Sequence, residues 1–182
     1  MKLEKIIFNN VQLDFLARHD PTLEPHFYGT VPCNKLPRHP QKDRSVGYIV
    51  NTDPHDQPGR HWIALWRTLE NVCEIFDSYA LPLQVYETTQ PLIDWINTLW
   101  KYVVRSSKSL QSLYSQSCGD HALMYLRHRA RVEDMRKFLK LFSRHDYVAN
   151  DHKVGQMLKR LIEKDLSQEE SCMTSGRLAS NL

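Results

Sequence analysis

The segment Leu110–Arg127, LQSLYSQSCGDHALMYLR, constrains this chain more than any other. Cys118 stands directly before an apolar run with helical spacing, and an irregular polar stretch precedes it. This pattern predicts a loop that delivers a thiol to the first turn of a buried helix. A helix N-terminus favours negative charge, and the thiolate is the nucleophilic form of cysteine. A lone cysteine of this kind is also often a small buried hydrophobic residue, so the function depends on its partners.

Three other polar residues supply those partners. Gln111 lies seven residues before Cys118, His61 opens the segment HWIALW, and Asp77 ends the segment CEIFD. A histidine, an acid, a glutamine and a cysteine form the set that a thiol-dependent acyl-transfer enzyme needs. We therefore expect His61 to take the proton of Cys118 and Asp77 to orient His61. Gln111 would donate its amide to the oxyanion.

Two residues compete for these roles. His121 follows Cys118 by three residues, so it lies on the same face of the helix and points poorly toward the sulfur. Gln116 is nearer to the cysteine in sequence than Gln111 is. Trp62 either covers the histidine and the cysteine or belongs to the core, and the sequence does not separate these alternatives.

Alternating apolar residues predict three consecutive strands, Gly47–Thr52, His61–Thr68 and Val72–Asp77, joined as an antiparallel meander. In this arrangement His61 begins one strand and Asp77 ends the next. Adjacent antiparallel strands bring those two ends to the same edge of the sheet. A separation of sixteen residues thus becomes a contact.

The remaining patterns are mainly helical and surround these strands, so the fold class is α+β. We predict one domain over residues 1–166 and a polar, flexible tail over 167–182. The further predicted elements are a helix within residues 1–20 that ends at Pro21, an extended piece at Phe27–Val31, a helix at Tyr86–Trp100, a strand at Tyr102–Ser106, and helices at Cys118–Ala130, Val132–Phe142 and Val154–Leu166.

Composition narrows the setting. The 182 residues carry no apolar run near 18 residues and no secretory signal pattern, so we expect neither a membrane span nor secretion. Four widely spaced cysteines without a CxxC pair predict reduced thiols and no metal site. Net charge is +3, and residues 124–165 hold eleven Lys or Arg against six Asp or Glu. This basic region would either bind along a polyanion or be an ordinary solvated helix face.

Taken in order, six segments resemble adenain, the maturation protease of adenoviruses. The resemblance is closer to the related proteases of Maverick/Polinton-type DNA elements and of adenovirus-like viruses of aquatic animals. The segments are Phe27–Pro37, Gly47–Asp53, Pro58–Trp66, Phe76–Pro82, Leu110–Gly119 and Asn150–Leu161.

This resemblance implies a papain-like cysteine-protease fold shared with SUMO and ubiquitin-like proteases. A central mixed, mainly antiparallel sheet would be flanked by helices, with the nucleophile at the N-terminus of the central helix. The resemblance maps the catalytic triad to His61, Asp77 and Cys118, and the oxyanion donor to Gln111. It implies a monomeric endopeptidase that cuts capsid and core precursors during virion maturation, in the host nucleus or the virion. DNA and an activating viral peptide would be its cofactors, and the chemistry itself needs none.

The chain departs from adenain at two points. Adenain has Glu where this chain has Asp77, and the stretch around residues 100–102 lacks the cysteine that anchors adenain's activating peptide. Two other functions remain. One is a SUMO-type deconjugating protease, in which we would expect a glutamine–cysteine spacing one shorter and Asp in place of Ser117. The other is a non-enzymatic DNA-binding virion protein.

Overall fold

The computed structural model describes residues 8–40, 43–131 and 134–179. Within them the chain forms a five-stranded sheet in which the strands follow one another in sequence order. The strands are β1 (Phe27–Pro32), β2 (Val46–Asn51), β3 (Trp62–Arg67), β4 (Val72–Phe76) and β5 (Tyr102–Arg105).

The predicted meander is confirmed, because β2–β3 and β3–β4 pair antiparallel. The sheet is mixed as predicted, but it is not mainly antiparallel. Strand β1 pairs parallel with β2, and β5 pairs parallel with β4, so the two kinds of pairing are equally frequent among the described strands. The reason is the length of the connections before β2 and after β4. Both are long enough for the crossover that parallel neighbours require.

Both faces of the sheet are covered, and period-two alternation decides which residue faces which layer. Tyr48 and Val50 of β2 belong to a core cluster with the helix Gln90–Leu99, named α2. Ile49 between them belongs to the opposite cluster, with the helix Cys118–Ala130, named α3. The sheet is therefore the middle of three layers.

The other helices are α1 (Asn10–His19), α4 (Met135–Lys140) and α5 (Tyr147–Ala179). All three lie on the same side of the sheet as α3, which is surrounded by them. Every residue of α3 from Cys118 to Leu126 is buried. Gly47 lets α3 approach the sheet, because a Cβ there would stand 3.1 Å from Leu126 and Trp66.

The start of helix α1, which the sequence pattern left open within residues 1–20, is fixed by a capping box. The Asn9 side chain accepts the Gln12 backbone N–H, and the Gln12 side-chain oxygen accepts the Asn9 N–H. This reciprocal pair makes Asn9 the N-cap of the helix. The predicted helical residues Leu3, Ile6 and Ile7 lie outside the described residues.

Helix α2 begins later than the predicted start at Tyr86, because residues 86–89 form a turn and the helix starts at Gln90, with Pro91 in its first turn. Helix α4 begins after Asp134, whose side chain accepts the Lys137 backbone N–H at 2.8 Å. The predicted start of α4 at residues 132–133 lies outside the described residues.

Helix α5 begins seven residues before the predicted start at Val154 and continues to Ala179. The backbone of residues 167–179 is thus helical, although the segment has no apolar periodicity. Glutamine and glutamate have good intrinsic helix propensity and serine a moderate one, so a helix can form here without the apolar periodicity on which the prediction relied. The flexibility of the tail and the single-domain boundary stay predictions. Nowhere in the described part of the chain is a helix long and apolar enough to cross a membrane.

Candidate active site

Cys118 is the first residue of α3, as the sequence predicts. Its side chain is buried, and the next residue, Gly119, lies close to α1 and to the first residue of β3. Gly119 makes this close approach possible, because a Cβ there would stand 3.0 Å from Leu13 of α1 and 3.5 Å from the Trp62 ring. The sulfur therefore lies at the positive end of a buried helix that its neighbours hold firmly in place.

His61 lies directly before β3, and Asp77 directly after β4. His61 Nε2 and Asp77 Oδ1 are 2.8 Å apart, and both residues are at least 95% buried. The Cys118 side chain also interacts with the same imidazole, and both side chains line one groove. Because Nε2 faces Asp77, Nδ1 is the ring nitrogen that is left for Cys118. The antiparallel register thus brings together the pair that the sequence placed sixteen residues apart.

The Asp77 carboxylate is fully supplied with donors. Besides His61, it accepts the backbone N–H groups of Tyr79 (2.9 Å) and Leu81 (3.2 Å) and the hydroxyl of Tyr86 (2.7 Å). Burial alone would raise the pKa of Asp77, but hydrogen bonding and charge pairing with His61, together with the other bonds, bring the pKa below its ordinary value. The carboxylate is therefore ionised at neutral pH.

Burial alone would lower the pKa of His61, because it disfavours the charged imidazolium. Its hydrogen bonds and charge interactions with Asp77 and Cys118 outweigh burial and raise the pKa to about 9. Two aromatic rings stack on the imidazole, with centroid separations of 5.0 Å for Tyr79 and 5.2 Å for Tyr86. They restrict the ring to the orientation in which one nitrogen faces each partner.

Gln111 is 2% exposed, and both ends of its side-chain amide are held. Its Oε1 accepts the Ser78 hydroxyl at 2.6 Å, and its Nε2 donates to the Ser115 carbonyl at 2.9 Å. The amide nitrogen carries two protons, so one N–H remains after the bond to Ser115. Gln111 lines the same groove as Cys118, in the position of a fixed donor.

The two competing residues have different surroundings. Gln116 is exposed on the groove wall, so its amide is not held in the way that the Gln111 amide is. His121 is fully buried, and its Nε2 lies 3.2 Å from Asp151 Oδ1. His121 is thus paired with a different carboxylate from the one that contacts His61.

A groove of about 980 Å³ runs over these groups. His61, Gln111 and Cys118 line it. Trp62 lines it too and packs against the core, while its covering of His61 and Cys118 stays a prediction. Aromatic, proline and amide side chains dominate the walls. The charged pair Asp53–Arg60 lies at the rim, where Arg60 Nη2 is 2.9 Å from the Asp53 carboxylate. The groove is open enough for an extended peptide.

Sequence reasoning missed the residues that support this set. They are Ser78, Tyr86, Ser106 and Asp151, which are ordinary polar residues in their local context. Ser106 shows the difficulty, because its hydroxyl bonds both the N–H and the carbonyl of Asp77 from 29 residues away. In the described part of the chain, no cluster of three or more His, Cys, Asp or Glu side chains could hold a metal ion.

The fold is similar to that of two proteases with solved structures. It matches the crystal structure of the ASFV pS273R protease with a TM-score of 0.51 and 15% identity, over 82% of this chain and 66% of that one. It matches the C-terminal Ulp1 protease domain, solved in complex with the yeast SUMO ortholog Smt3, with a TM-score of 0.50 and 13% identity, over 83% and 76%. The fold is therefore the cysteine-protease fold of the adenain and SUMO-protease type, with Cys118 at the predicted place.

The sequence is also similar to that of one viral protease. The chain is 30% identical to the protease of snake adenovirus serotype 1, over 57% of this chain and 56% of that protein. It thus spans little more than half the length of this curated relative. No family model matches the sequence. The resemblance to adenovirus proteases that the six segments indicate is confirmed by this match.

Proposed function

We propose that this chain is a cysteine endopeptidase in which Cys118, His61, Asp77 and Gln111 carry the chemistry. The observation that supports it best is the 2.8 Å contact between Asp77 and His61, with His61 and Cys118 lining the same open groove. A buried ionised carboxylate, a stacked imidazole and a thiol at a helix start form the arrangement of an activated nucleophile.

The reaction follows from these positions. His61 takes the thiol proton, and the Cys118 thiolate attacks the peptide carbonyl carbon, whose π electrons move onto oxygen. The free N–H of Gln111, with a backbone N–H at the start of α3, stabilises that oxyanion. The oxyanion collapses, the C–N bond breaks, and the imidazolium gives its proton to the leaving amine. Water then hydrolyses the thioester with His61 as base, which restores the free thiol.

We further propose that the substrates are viral capsid and core precursors cut during maturation, in the host nucleus or the virion, by a monomeric enzyme. The support is the similarity to the snake adenovirus protease. A SUMO-type deconjugase is the second candidate, because the fold matches the Ulp1 domain about as well as it matches the ASFV protease. Turnover of precursor-derived peptides, but not of ubiquitin-like C-terminal amides, would separate the two.

DNA and a viral peptide are proposed cofactors. Support for DNA is weaker than the net charge suggests, because four of the basic residues in the described part of 124–165 form ion pairs within this chain. Arg127 pairs with the buried Asp20, and Arg129 pairs with Glu74 at 2.7 Å. On the surface, Arg136 lies 3.8 Å from Asp134, and Lys159 lies 3.5 Å from Glu163. Exposed cations such as Lys137, Lys140 and Arg144 would form the contact surface.

The first experiment is thiol labelling. The purified chain is treated with iodoacetamide at pH 7, with and without DNA, and each modified cysteine is mapped by mass spectrometry. Fast labelling confined to Cys118, and slowed in His61→Ala, is expected. Cys33 and Cys73 serve as internal controls, because both are buried and burial raises the pKa of both thiols. Equal slow labelling of all cysteines would contradict the proposal, and faster labelling with DNA would support the cofactor.

A further inference from the structure

A partly buried carboxylate, that of Asp151, ties the loop before the nucleophile to α5. We call residues 111–117 the nucleophile loop. Asp151 Oδ2 accepts the Ser112 backbone N–H at 3.2 Å, and Asp151 Oδ1 accepts the Ser117 hydroxyl at 2.5 Å. The Ser115 and Ser117 hydroxyls are 2.9 Å apart. One carboxylate thus anchors both ends of the loop.

The same Asp151 carboxylate also contacts a histidine of α3. Asp151 Oδ1 lies 3.2 Å from Nε2 of His121, which is fully buried in α3. Burial alone would raise the pKa of Asp151, but bonds from His121 and from the serines of the nucleophile loop hold it below its ordinary value. The neighbouring Asn150 donates its amide to the Leu110 carbonyl at 3.0 Å. The first turns of α5 therefore clamp the nucleophile loop with a charged acceptor, which makes shorter and stronger hydrogen bonds than a neutral one.

Asp151 is linked to Gln111 through the carbonyl group of Ser115. The Ser115 N–H closes a turn onto the Ser112 carbonyl at 3.1 Å, and the Ser115 carbonyl accepts Gln111 Nε2 at 2.9 Å. The Ser115 carbonyl is where it is because Asp151 holds Ser112 and Ser117 on either side of it. The direction of the second Gln111 N–H therefore depends on Asp151, although the two side chains do not touch.

We propose that Asp151 is a positioning residue for the oxyanion side of the active site, acting through the nucleophile loop on the Gln111 amide. The pair His61–Cys118 is held by the strands β3 and β4 and by α3, so Asp151 affects it little. The inference rests on the proposed function in so far as Gln111 donates to an oxyanion. The linkage between Asp151 and the Gln111 amide can be measured without any turnover.

The test compares Asp151→Asn with Asp146→Asn. Asn is nearly isosteric, but with its Oδ1 toward Ser117 its NH₂ faces the Ser112 N–H, so at least one loop anchor is lost. Asp146 is an exposed carboxylate at the start of the same helix, where it accepts the Ala149 N–H at 2.8 Å, and Asn caps helices equally well. Asp146→Asn is the matched control.

Two probes separate the two sides of the site. A short peptide aldehyde adds to the thiol and places an oxyanion opposite Gln111, whereas iodoacetamide needs only the thiolate. We expect Asp151→Asn to weaken aldehyde binding about 10-fold or more, up to the roughly 10²–10³ that complete loss of an oxyanion donor costs. The iodoacetamide rate should stay within about twofold, and Asp146→Asn should change neither. A parallel fall with both probes would indicate a general structural role and overturn the proposal.

A third readout keeps the inference independent of catalysis. Side-chain amide exchange of Gln111 by NMR should be slow in the wild type and faster in Asp151→Asn. If the wild type neither binds the aldehyde nor labels quickly at Cys118, the proposed function fails. The exchange rate then decides the positioning role alone, and an unchanged Gln111 rate in Asp151→Asn overturns it.

Discussion

The raised pKa of His61 gives a sharp test of the pair His61–Asp77. A rise from 6.5 to about 9 corresponds to about 3 kcal/mol of preferential stabilisation of the imidazolium, since each pKa unit is worth about 1.4 kcal/mol. Burial opposes this rise, so the hydrogen-bonded carboxylate and the sulfur must supply more than the net effect. An opposite charge at hydrogen-bond distance shifts a pKa by roughly 1–3 units.

Replacing Asp77 with Asn removes the charge and keeps the shape. We expect the His61 pKa to fall by about 2 units, within the range that one opposite charge produces. The measurement is an NMR titration of ¹⁵N-labelled imidazoles, with the His61 signal assigned from His61→Gln. The turnover rate should fall as pH rises above the His61 midpoint of the same protein. The imidazolium that protonates the leaving amine is lost as pH rises through its pKa.

Tyr86→Phe is the matched control. It removes the 2.7 Å bond from the hydroxyl to Asp77 but leaves the charge and the stacked ring in place. Its His61 midpoint should stay close to the wild-type value. A midpoint near 9 in Asp77→Asn, or a wild-type midpoint near 6.5, would refute the electrostatic reasoning.

Three further outcomes are expected. Gln111→Ala should lower kcat by about 10²–10³ with little change in KM, whereas the exposed Gln116→Ala should stay near wild type in the same peptide assay. Cys118→Ala should abolish turnover with a melting temperature close to wild type, and a large loss of stability would count against a purely chemical role. The folded-state pKa of Asp77 is lowered, so its stabilisation is present above its ordinary pKa of 3.8 and lost as pH falls through the folded value. Urea unfolding between pH 7 and 3 should therefore show a smaller acid dependence in Asp77→Asn, and equal slopes would contradict the linkage.

Local patterns in the sequence determined much of this molecule. The apolar run after Cys118 predicted a buried helix, and three alternating segments predicted the meander that joins His61 to Asp77. These predictions succeed because periodicity reports burial directly, and because antiparallel register turns a sequence separation into a contact. His61 contacts Asp77, and Gln111 is buried where Gln116 is exposed, but the catalytic roles of His61 and Gln111 stay predictions.

Only the tertiary structure decided the rest. The parallel pairing of β1 and β5 depends on how long connections cross the sheet, which no local pattern records. The start of α1 at Asn9 depends on reciprocal hydrogen bonds between side chains and backbone. The C-terminal part of α5 consists of residues without apolar periodicity, so no pattern predicted the length of this helix. The support of the site came from residues far apart in sequence, such as Ser106 on Asp77. A hydrogen bond between distant polar groups leaves no periodic signal in the sequence, because it depends on where folding brings those groups together.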